Sequence, residues 1–202
     1  SNSMSKVPRA MTIAGSDSGG GAGIQADLKT FAAMGVYGIS VLTAITAQNT
    51  LKVADVMELP VSLIKSQIDT VLSDIGTDVI KTGMLSSAAV IFTVAEKIKE
   101  YNLINLVVDP VMVAKGGDRL LREDAVDSLR TLLIPLARVV TPNIPEAEAL
   151  TGRKIKNIDD ARNAAIEIVS MGAEAVVVKG GHLSGPATDI LFDGSKTLVF
   201  TS

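Results

Sequence analysis

The feature that most constrains the fold is a regular alternation of short, β-branched apolar runs with segments of helical periodicity. This alternation predicts βαβ units and a mostly parallel sheet. Most of the runs are continuously apolar, which is typical of strands that are covered on both faces. The predicted strands are Ala10 to Ala14, Ser40 to Ala47, Asp78 to Lys81, Leu106 to Asp109, Arg138 to Thr141 and Ala175 to Lys179.

The last part of the chain departs from this pattern. Asp189 to Phe192 and Lys196 to Phe200 flank the pair Asp193-Gly194. An Asp-Gly pair between two apolar runs is a strong hairpin signal. We therefore expect an α/β fold whose mostly parallel sheet ends in an antiparallel hairpin edge.

Composition narrows the classes of function. The 202 residues include 47% hydrophobic side chains, which is enough for one core, and we interpret residues 4–202 as a single domain after a tag remnant, Ser1 to Ser3. A net charge of −3 and 3% aromatic residues argue against nucleic-acid binding. No cysteine and one histidine leave too few ligands for a zinc site. Without a membrane-length apolar run or a secretory signal, we expect a cytoplasmic protein that does not bind membranes.

Polar and glycine-rich segments follow the predicted strands. Ligands of open α/β sheets bind outside the carboxyl ends of the strands. We therefore predict an active site at this edge of the sheet. The segments are Gly15 to Gly23, Gln48-Asn49, Thr82-Gly83-Met84, Asp109-Pro110, Pro142-Asn143 with Glu146, and Gly180-Gly181-His182.

The first of these segments, Gly15 to Gly23, has three interpretations. Its glycines would let the backbone approach a ligand closely, as in phosphate-binding loops. Gly21-x-Gly23-x-x-Ala26 formally matches a dinucleotide fingerprint, but no acidic residue follows between Leu28 and Ala54 to hold a ribose. The Walker pattern is absent because no Gly-Lys-Ser/Thr follows. A tight structural turn remains the third interpretation.

Two later segments carry charges that suit phosphate chemistry. Asn143 and Glu146 have the spacing of a helix capping box. Glu146 together with Asp109 would also suit Mg²⁺, which takes one or two carboxylates plus phosphate oxygens. Lys179 ends an apolar strand, where its charge needs a partner such as a phosphate chain. Lys81 repeats that pattern more weakly, and His182 is interpreted as an ordinary loop residue.

With these motifs in view, the chain closely resembles the hydroxymethylpyrimidine (phosphate) kinases of thiamine biosynthesis, in the ribokinase-like superfamily. The resemblance runs from Arg9 to Phe200. Seven motifs in one order make it highly specific. They are Ala14 to Asp17, Gly23 to Phe31, Thr46 to Thr50, Lys81 to Leu85, Asp109 to Met112, Thr141 to Asn143 with Glu146-Ala147, and Lys179 to His182.

This resemblance implies a three-layer α/β/α fold. It also implies an enzyme that transfers the γ-phosphoryl group of ATP, with Mg²⁺, to the hydroxymethyl group of an aminopyrimidine and then to its monophosphate. By the matched positions the pyrimidine would lie among Gly15, Asp27, Gln48, Met84 and Val111. Gln48 distinguishes the pyrimidine kinases from the related pyridoxal kinases, which tend to carry Met at this place. The Gln amide can both donate and accept hydrogen bonds.

The matched positions also imply a phosphate side of the site. Asp109 and Asn143 would bind ATP, and Asp109 with Glu146 would hold the Mg²⁺ ion. Lys179 would contact the ATP phosphates and is the predicted catalytic residue. Phosphoryl transfer depends mainly on positioning and charge stabilisation, so Lys179 should matter most among these side chains.

The chain departs from the family pattern in one respect. The family carries its anion hole in a Gly-Thr-Gly-Cys segment after the hairpin, and none of the 202 residues form such a segment. The resemblance therefore implies a gene product that continues beyond Ser202. Two alternatives stay open: a pyridoxal or pyridoxine kinase of the same fold, and a catalytically inactive module that binds pyrimidine or nucleotide. Exposed sheet edges and the resemblance are also compatible with a homodimer.

Overall fold

The computed structural model describes residues 7–181, 183 and 187–201. No helix in this part of the chain is both long and apolar enough to cross a membrane. The strands are β1 Arg9–Ala14, β2 Tyr37–Leu42, β3 Ala44–Gln48, β4 Val53–Glu58, β5 Val79–Thr82, β6 Leu106–Val108, β7 Val139–Val140, β8 Ala175–Lys179, β9 Thr188–Phe192 and β10 Thr197–Thr201. The helices are α1 Gly23–Ala33, α2 Val61–Asp74, α3 Ala88–Glu100, α4 Val126–Ser128, α5 Ile144–Thr151 and α6 Ile158–Ser170, with α4 inside a run of irregular turns at 123–136.

Eight of the strands form one sheet in the order β10-β9-β8-β7-β6-β5-β1-β2. β1, β2 and β5 to β8 run parallel to one another, whereas β9 runs antiparallel to both β8 and β10. The predicted mostly parallel sheet with an antiparallel hairpin at its edge is therefore confirmed.

The prediction of one strand from Ser40 to Ala47 is wrong. The run is divided at Thr43 into β2, which pairs with β1, and β3, which leaves the sheet and pairs antiparallel with β4. The side chain of Gln67 causes part of this break, because it accepts from the Leu42 N–H and donates to the Leu42 carbonyl, each at 2.9 Å. Apolar residues continue across the break, so the sequence pattern carries no sign of it. β4 was not predicted.

The two faces of the sheet are covered by different numbers of helices. Parallel crossovers are almost always right-handed, so a connection that runs the opposite way across the sheet places its helix on the opposite face. The connection from β1 to β2 runs one way, and all later parallel connections run the other way. α1 accordingly packs on one face, where Gly38 of β2 leaves room for Leu28 and Phe31. The other face is covered by α2, α3 and α6 and holds the main core, which includes Met11, Ile13, Ile64, Ile68, Ile91, Val94 and Ile168.

Candidate active site

A cavity of about 280 Å³ opens where β1, β5 and β6 end. The chain passes from β1 to one side of the sheet and later returns to the other side, and such a switch point is where open α/β sheets bind ligands. The five residues predicted to surround a pyrimidine all line this cavity: Gly15, Asp27, Gln48, Met84 and Val111. The structure therefore brings together side chains that are up to 96 positions apart in the sequence, from Gly15 to Val111.

The glycine-rich loop between β1 and α1 is organised by its own aspartate. Asp17 is buried, and its carboxylate accepts from the backbone N–H groups of Gly19, Gly21 and Ala22 at 2.8 to 3.0 Å. Three such bonds occupy most of the acceptor positions of a carboxylate. Asp17 therefore holds the shape of the loop, which supports the interpretation of this segment as a structural turn that forms one wall of the cavity.

Gly23 sets the start of α1 against the end of β1. Its φ angle of 60° lies in the left-handed region, and a Cβ at this position would lie 2.6 Å from the Gly15 carbonyl oxygen. Only glycine adopts this conformation without strain and also leaves room for such a close backbone approach. The short distance brings the first turns of α1, including Asp27, over the end of the sheet.

Gln48 lines the cavity from a different structural element than the one predicted. It does not follow a strand of the main sheet but ends β3 of the two-stranded ribbon. Ser18 fixes its backbone, because the Ser18 hydroxyl lies 2.7 Å from the Gln48 nitrogen and 2.8 Å from its carbonyl oxygen. The Thr46 hydroxyl donates its proton to the Ser16 carbonyl at 2.7 Å, so its 3.3 Å contact with the side-chain oxygen of Gln48 is a weak one. Its amide nitrogen has no partner among the described contacts.

Asp27 is held by two residues that sequence reasoning did not connect with it. The Lys81 ammonium group lies 2.9 and 2.8 Å from the two carboxylate oxygens, and the Thr12 hydroxyl donates to Oδ2 at 2.6 Å. Lys81 also lines the cavity. The sequence pattern had grouped Lys81 with Lys179 as a weaker phosphate-binding lysine, and no local signal points to a partner 54 positions away.

The residues predicted to bind phosphate adjoin this cavity through Asp109. Asp109 lines the cavity, and its Oδ1 lies 3.6 Å from the Nζ of Lys179. Lys179 lines a neighbouring cleft of about 320 Å³ together with Asn143. The lysine at the end of β8 therefore has a carboxylate partner, although the contact is longer than a hydrogen bond and the Lys179 side chain remains 46% exposed.

Asn143 and Glu146 form the predicted capping box at the start of α5. The Asn143 side chain accepts from the Glu146 N–H at 2.8 Å, and the Glu146 carboxylate accepts from the Asn143 N–H at 2.9 Å. Gly152 ends the helix in the left-handed conformation. Both side chains also line a cleft beside the segment from Met112 to Arg119. They therefore form the helix cap and are also accessible to a ligand in the cleft.

Burial raises the pKa of the Glu146 carboxyl above its ordinary value. The Asn143 N–H opposes this effect, the negative charge of Asp109 adds to it, and the positive charge of Lys179 reduces it. Two neighbouring carboxylates therefore share one lysine. Within the described ranges no cluster of three or more acidic, His or Cys side chains could hold a metal, so protein ligands here would be few. His182 lies outside the described residues, as do Ser1 to Ser3.

Comparisons with known proteins agree on one family. A family model described as phosphomethylpyrimidine kinase matches residues 17–202. The hydroxymethylpyrimidine/phosphomethylpyrimidine kinase of Bacillus subtilis (strain 168) is 53% identical over 197 residues, which cover 96% of this chain and 73% of that protein. The structure of phosphomethylpyrimidine kinase from Clostridium difficile 630 matches with a TM-score of 0.89 and 51% identity, over 98% of this chain and 85% of that one.

Pyridoxal kinases share the fold but are less similar in sequence. An ADP complex of Bacillus subtilis pyridoxal kinase also gives a TM-score of 0.89, with 43% identity, over 98% of this chain and 76% of that one. The backbone therefore does not separate the two kinds of kinase, whereas sequence identity favours the pyrimidine kinases.

The raised pKa of Glu146 predicts how stability depends on pH. The folded chain binds the Glu146 proton more tightly than the unfolded chain, so the contribution of Glu146 to stability falls as pH rises through the raised pKa. Glu146→Gln keeps an oxygen that can accept from the Asn143 N–H. We therefore expect this variant to melt at a higher temperature than the wild type at pH 8, with a smaller difference at pH 5.

Thermal unfolding followed by circular dichroism at the two pH values would measure this effect. Glu123→Gln, at an exposed position in the run of irregular turns, is the control and should change the melting temperature little at either pH. A lower melting temperature for Glu146→Gln at pH 8 would show that its charge stabilises the fold.

Proposed function

The chain belongs to the phosphomethylpyrimidine kinase family, and we propose that it transfers the γ-phosphoryl group of ATP to 4-amino-5-hydroxymethyl-2-methylpyrimidine and then to the resulting monophosphate. Both transfers belong to thiamine biosynthesis. The observation that carries the proposal is the position of Gln48 on the wall of the cavity. Its amide can donate to a ring nitrogen and accept from an exocyclic amine, which is the edge that an aminopyrimidine presents.

The cavity has the size and chemistry for a small heterocycle. Binding sites of this kind are mostly apolar with a few well-placed polar groups. Here Met84 and Val111 supply apolar walls, while Asp27 and Gln48 supply the polar contacts. A side chain at Gly15 would meet the Met84 thioether, so glycine at this position keeps Met84 in place against the ring.

ATP would approach from the side of Lys179 and Asn143. The Lys179 ammonium group is a point charge suited to phosphate oxygens, and the Asn143 side-chain amide retains its N–H donors because its oxygen serves the helix cap. Asp109 lies between this cleft and the cavity. Phosphates held there would therefore lie next to the hydroxymethyl group of a pyrimidine in the cavity, as direct transfer requires.

The donor chemistry at Asp109 and Glu146 fits Mg²⁺. These carboxylates lie close enough for the charge of Asp109 to raise the pKa of Glu146, and a divalent cation would relieve that repulsion. Mg²⁺ commonly uses one or two carboxylates together with phosphate oxygens. When bound, the ion would neutralise charge on the phosphates, while Lys179 stabilises the charge that develops on the transferred group.

A pyridoxal kinase is the second candidate, because solved pyridoxal kinases have the same fold. The two functions differ in the ring that must be recognised. Pyridoxal presents an oxygen where the aminopyrimidine presents an amine, so the polar groups of the cavity decide between them. An inactive binding module is the third candidate, and it would bind the pyrimidine without turnover.

A coupled assay of ADP formation tests these candidates, with wild type and variants made in the full-length gene product so that the anion-hole segment implied by the resemblance is included. We expect turnover with the hydroxymethylpyrimidine and none with pyridoxal. Gln48→Met should lower kcat/KM for the pyrimidine by about 10- to 100-fold, since it removes hydrogen bonds to buried polar atoms. Ala54→Met, at an exposed position of β4, is the control. Turnover of pyridoxal alone would refute the proposal, and calorimetric binding of the pyrimidine with zero turnover would support the inactive module.

Lys179→Ala tests the phosphate side separately. We expect kcat to fall about 100-fold, because one preorganised donor to a developing charge contributes about 3 kcal/mol. The KM for the pyrimidine should change little, since Lys179 does not line the pyrimidine cavity. Lys196→Ala, an exposed lysine beside the β9-β10 turn, is the control. Wild-type turnover by the Lys179 variant would contradict its catalytic role.

We also propose that the protein forms a homodimer through the β3-β4 ribbon. Ile45 and Met57 are paired across the ribbon and are 49% and 65% exposed. Leu51, in the turn between the strands, is 78% exposed. Neighbouring exposed apolar side chains of this kind often mark an interface, and two copies can bury the same face against each other around a two-fold axis.

Sedimentation velocity would test the dimer. The wild type should sediment as a dimer, and Met57→Glu should shift it to a monomer by placing a charge in the interface. Leu63→Glu, an exposed apolar position on α2, should leave the dimer intact. A monomeric wild type at micromolar concentration would contradict this proposal.

A further inference from the structure

Asp27 is the most tightly constrained polar side chain in the cavity. Thr12 and Lys81 occupy matching positions on the paired strands β1 and β5, so both side chains point to the face on which α1 lies. Both donate to Asp27, which reaches down from α1. The three groups come from three elements, and Asp27 and Lys81 are only 17% and 22% exposed.

A partly buried ion pair such as Asp27 and Lys81 often adds little to the stability of the fold. Removing two charges from water costs free energy that their mutual attraction often only balances, and apolar side chains of similar size would frequently serve the fold as well. Here the pair faces a cavity. The arrangement therefore suggests a role in binding.

The hydrogen bonds around Asp27 leave it one main acceptor position. A carboxylate offers about four lone pairs, of which Lys81 uses one on each oxygen and Thr12 uses a second on Oδ2. The free position is on Oδ1. A carboxylate oxygen can only accept at this position, so the position requires an N–H or O–H donor from a ligand.

Gln48 alone cannot distinguish an amino substituent on the ring from an oxo substituent. Its amide can rotate by half a turn and exchange its donor and acceptor, and the 3.3 Å contact with Thr46 restrains it only weakly. It could therefore match an amine next to a ring nitrogen, or an oxo group next to a ring N–H. A fixed acceptor elsewhere in the cavity is needed to separate the two ligands.

We propose that Lys81 is a positioning residue that holds the Asp27 carboxylate in one orientation as a hydrogen-bond acceptor and thereby makes the cavity select an amino-substituted pyrimidine over its 4-oxo counterpart. This proposal rests on the proposed function, since it assumes that the cavity binds the pyrimidine. Without Lys81, Thr12 alone would restrain the Asp27 carboxylate, which could then change its rotamer and move its free acceptor position away from the ligand. The preference for an amine would then weaken.

Isothermal titration calorimetry with two probes tests the proposal. The probes are 4-amino-5-hydroxymethyl-2-methylpyrimidine and the same molecule with oxo in place of amino. We expect the wild type to bind the amino compound at least about tenfold more tightly, and Lys81→Met to reduce this ratio by about tenfold, which corresponds to the loss of one charge-assisted hydrogen bond. Lys81→Arg should retain most of the ratio, because it keeps the cation.

Two further variants separate positioning from a structural role. Lys99→Met removes a lysine that is paired with Glu96 at 3.2 Å on α3, away from the cavity, and should leave both affinities unchanged. In an Asp27→Asn background, Lys81→Met should change the affinity for the amino compound less than about twofold, because Lys81 acts through Asp27. This double variant also leaves no unpaired charge, so it tests the proposal even if Lys81→Met alone fails to fold.

The outcomes are distinct. An unchanged ratio in Lys81→Met would overturn the positioning role while leaving the proposed function intact. Additive losses in the double variant would also overturn it, since Lys81 would then contact the pyrimidine directly. Failure of the wild type to bind either pyrimidine would refute the proposed function itself.

Discussion

The handedness of parallel crossovers determines where this site lies. The connection from β1 to β2 runs opposite to all later parallel connections, so the chain reverses its direction across the sheet beside β1 and leaves α1 on its own face. This reversal opens the crevice between the ends of β1 and β5. It also places a helix above the strands, so that Asp27 can meet Thr12 and Lys81 at the base of the cavity.

The two halves of the site differ in charge. On the proposed pyrimidine side Asp27 and Lys81 compensate each other, which suits a neutral ring. On the proposed phosphate side Asp109 and Glu146 lie near Lys179, and Lys115 and Arg119 line the same cleft as Glu146. These basic side chains suit the phosphates of ATP, and the two carboxylates suit a divalent cation that accompanies them.

Sequence reasoning found the elements whose signals are local. The hairpin at Asp193-Gly194, the Asn143-Glu146 cap and the predicted strands other than Ser40 to Ala47 depend on residues within a few positions of one another, and the structure confirms them. The functional assignments came from a resemblance, and the structure brings their residues together without testing their roles. The pairing of Lys81 with Asp27 was missed, because contacts between distant segments depend on strand order, which periodicity does not encode.

The sequence positions of Thr12, Asp27 and Lys81 also have a consequence for folding. Thr12 and Asp27 are 15 residues apart, but Lys81 is a further 54 residues along the chain. Closing the longer loop costs more entropy and is usually slower. The cavity therefore gains its cation only when β5 has docked beside β1, and a nascent chain that ends before Lys81 would present Asp27 without its counter-ion.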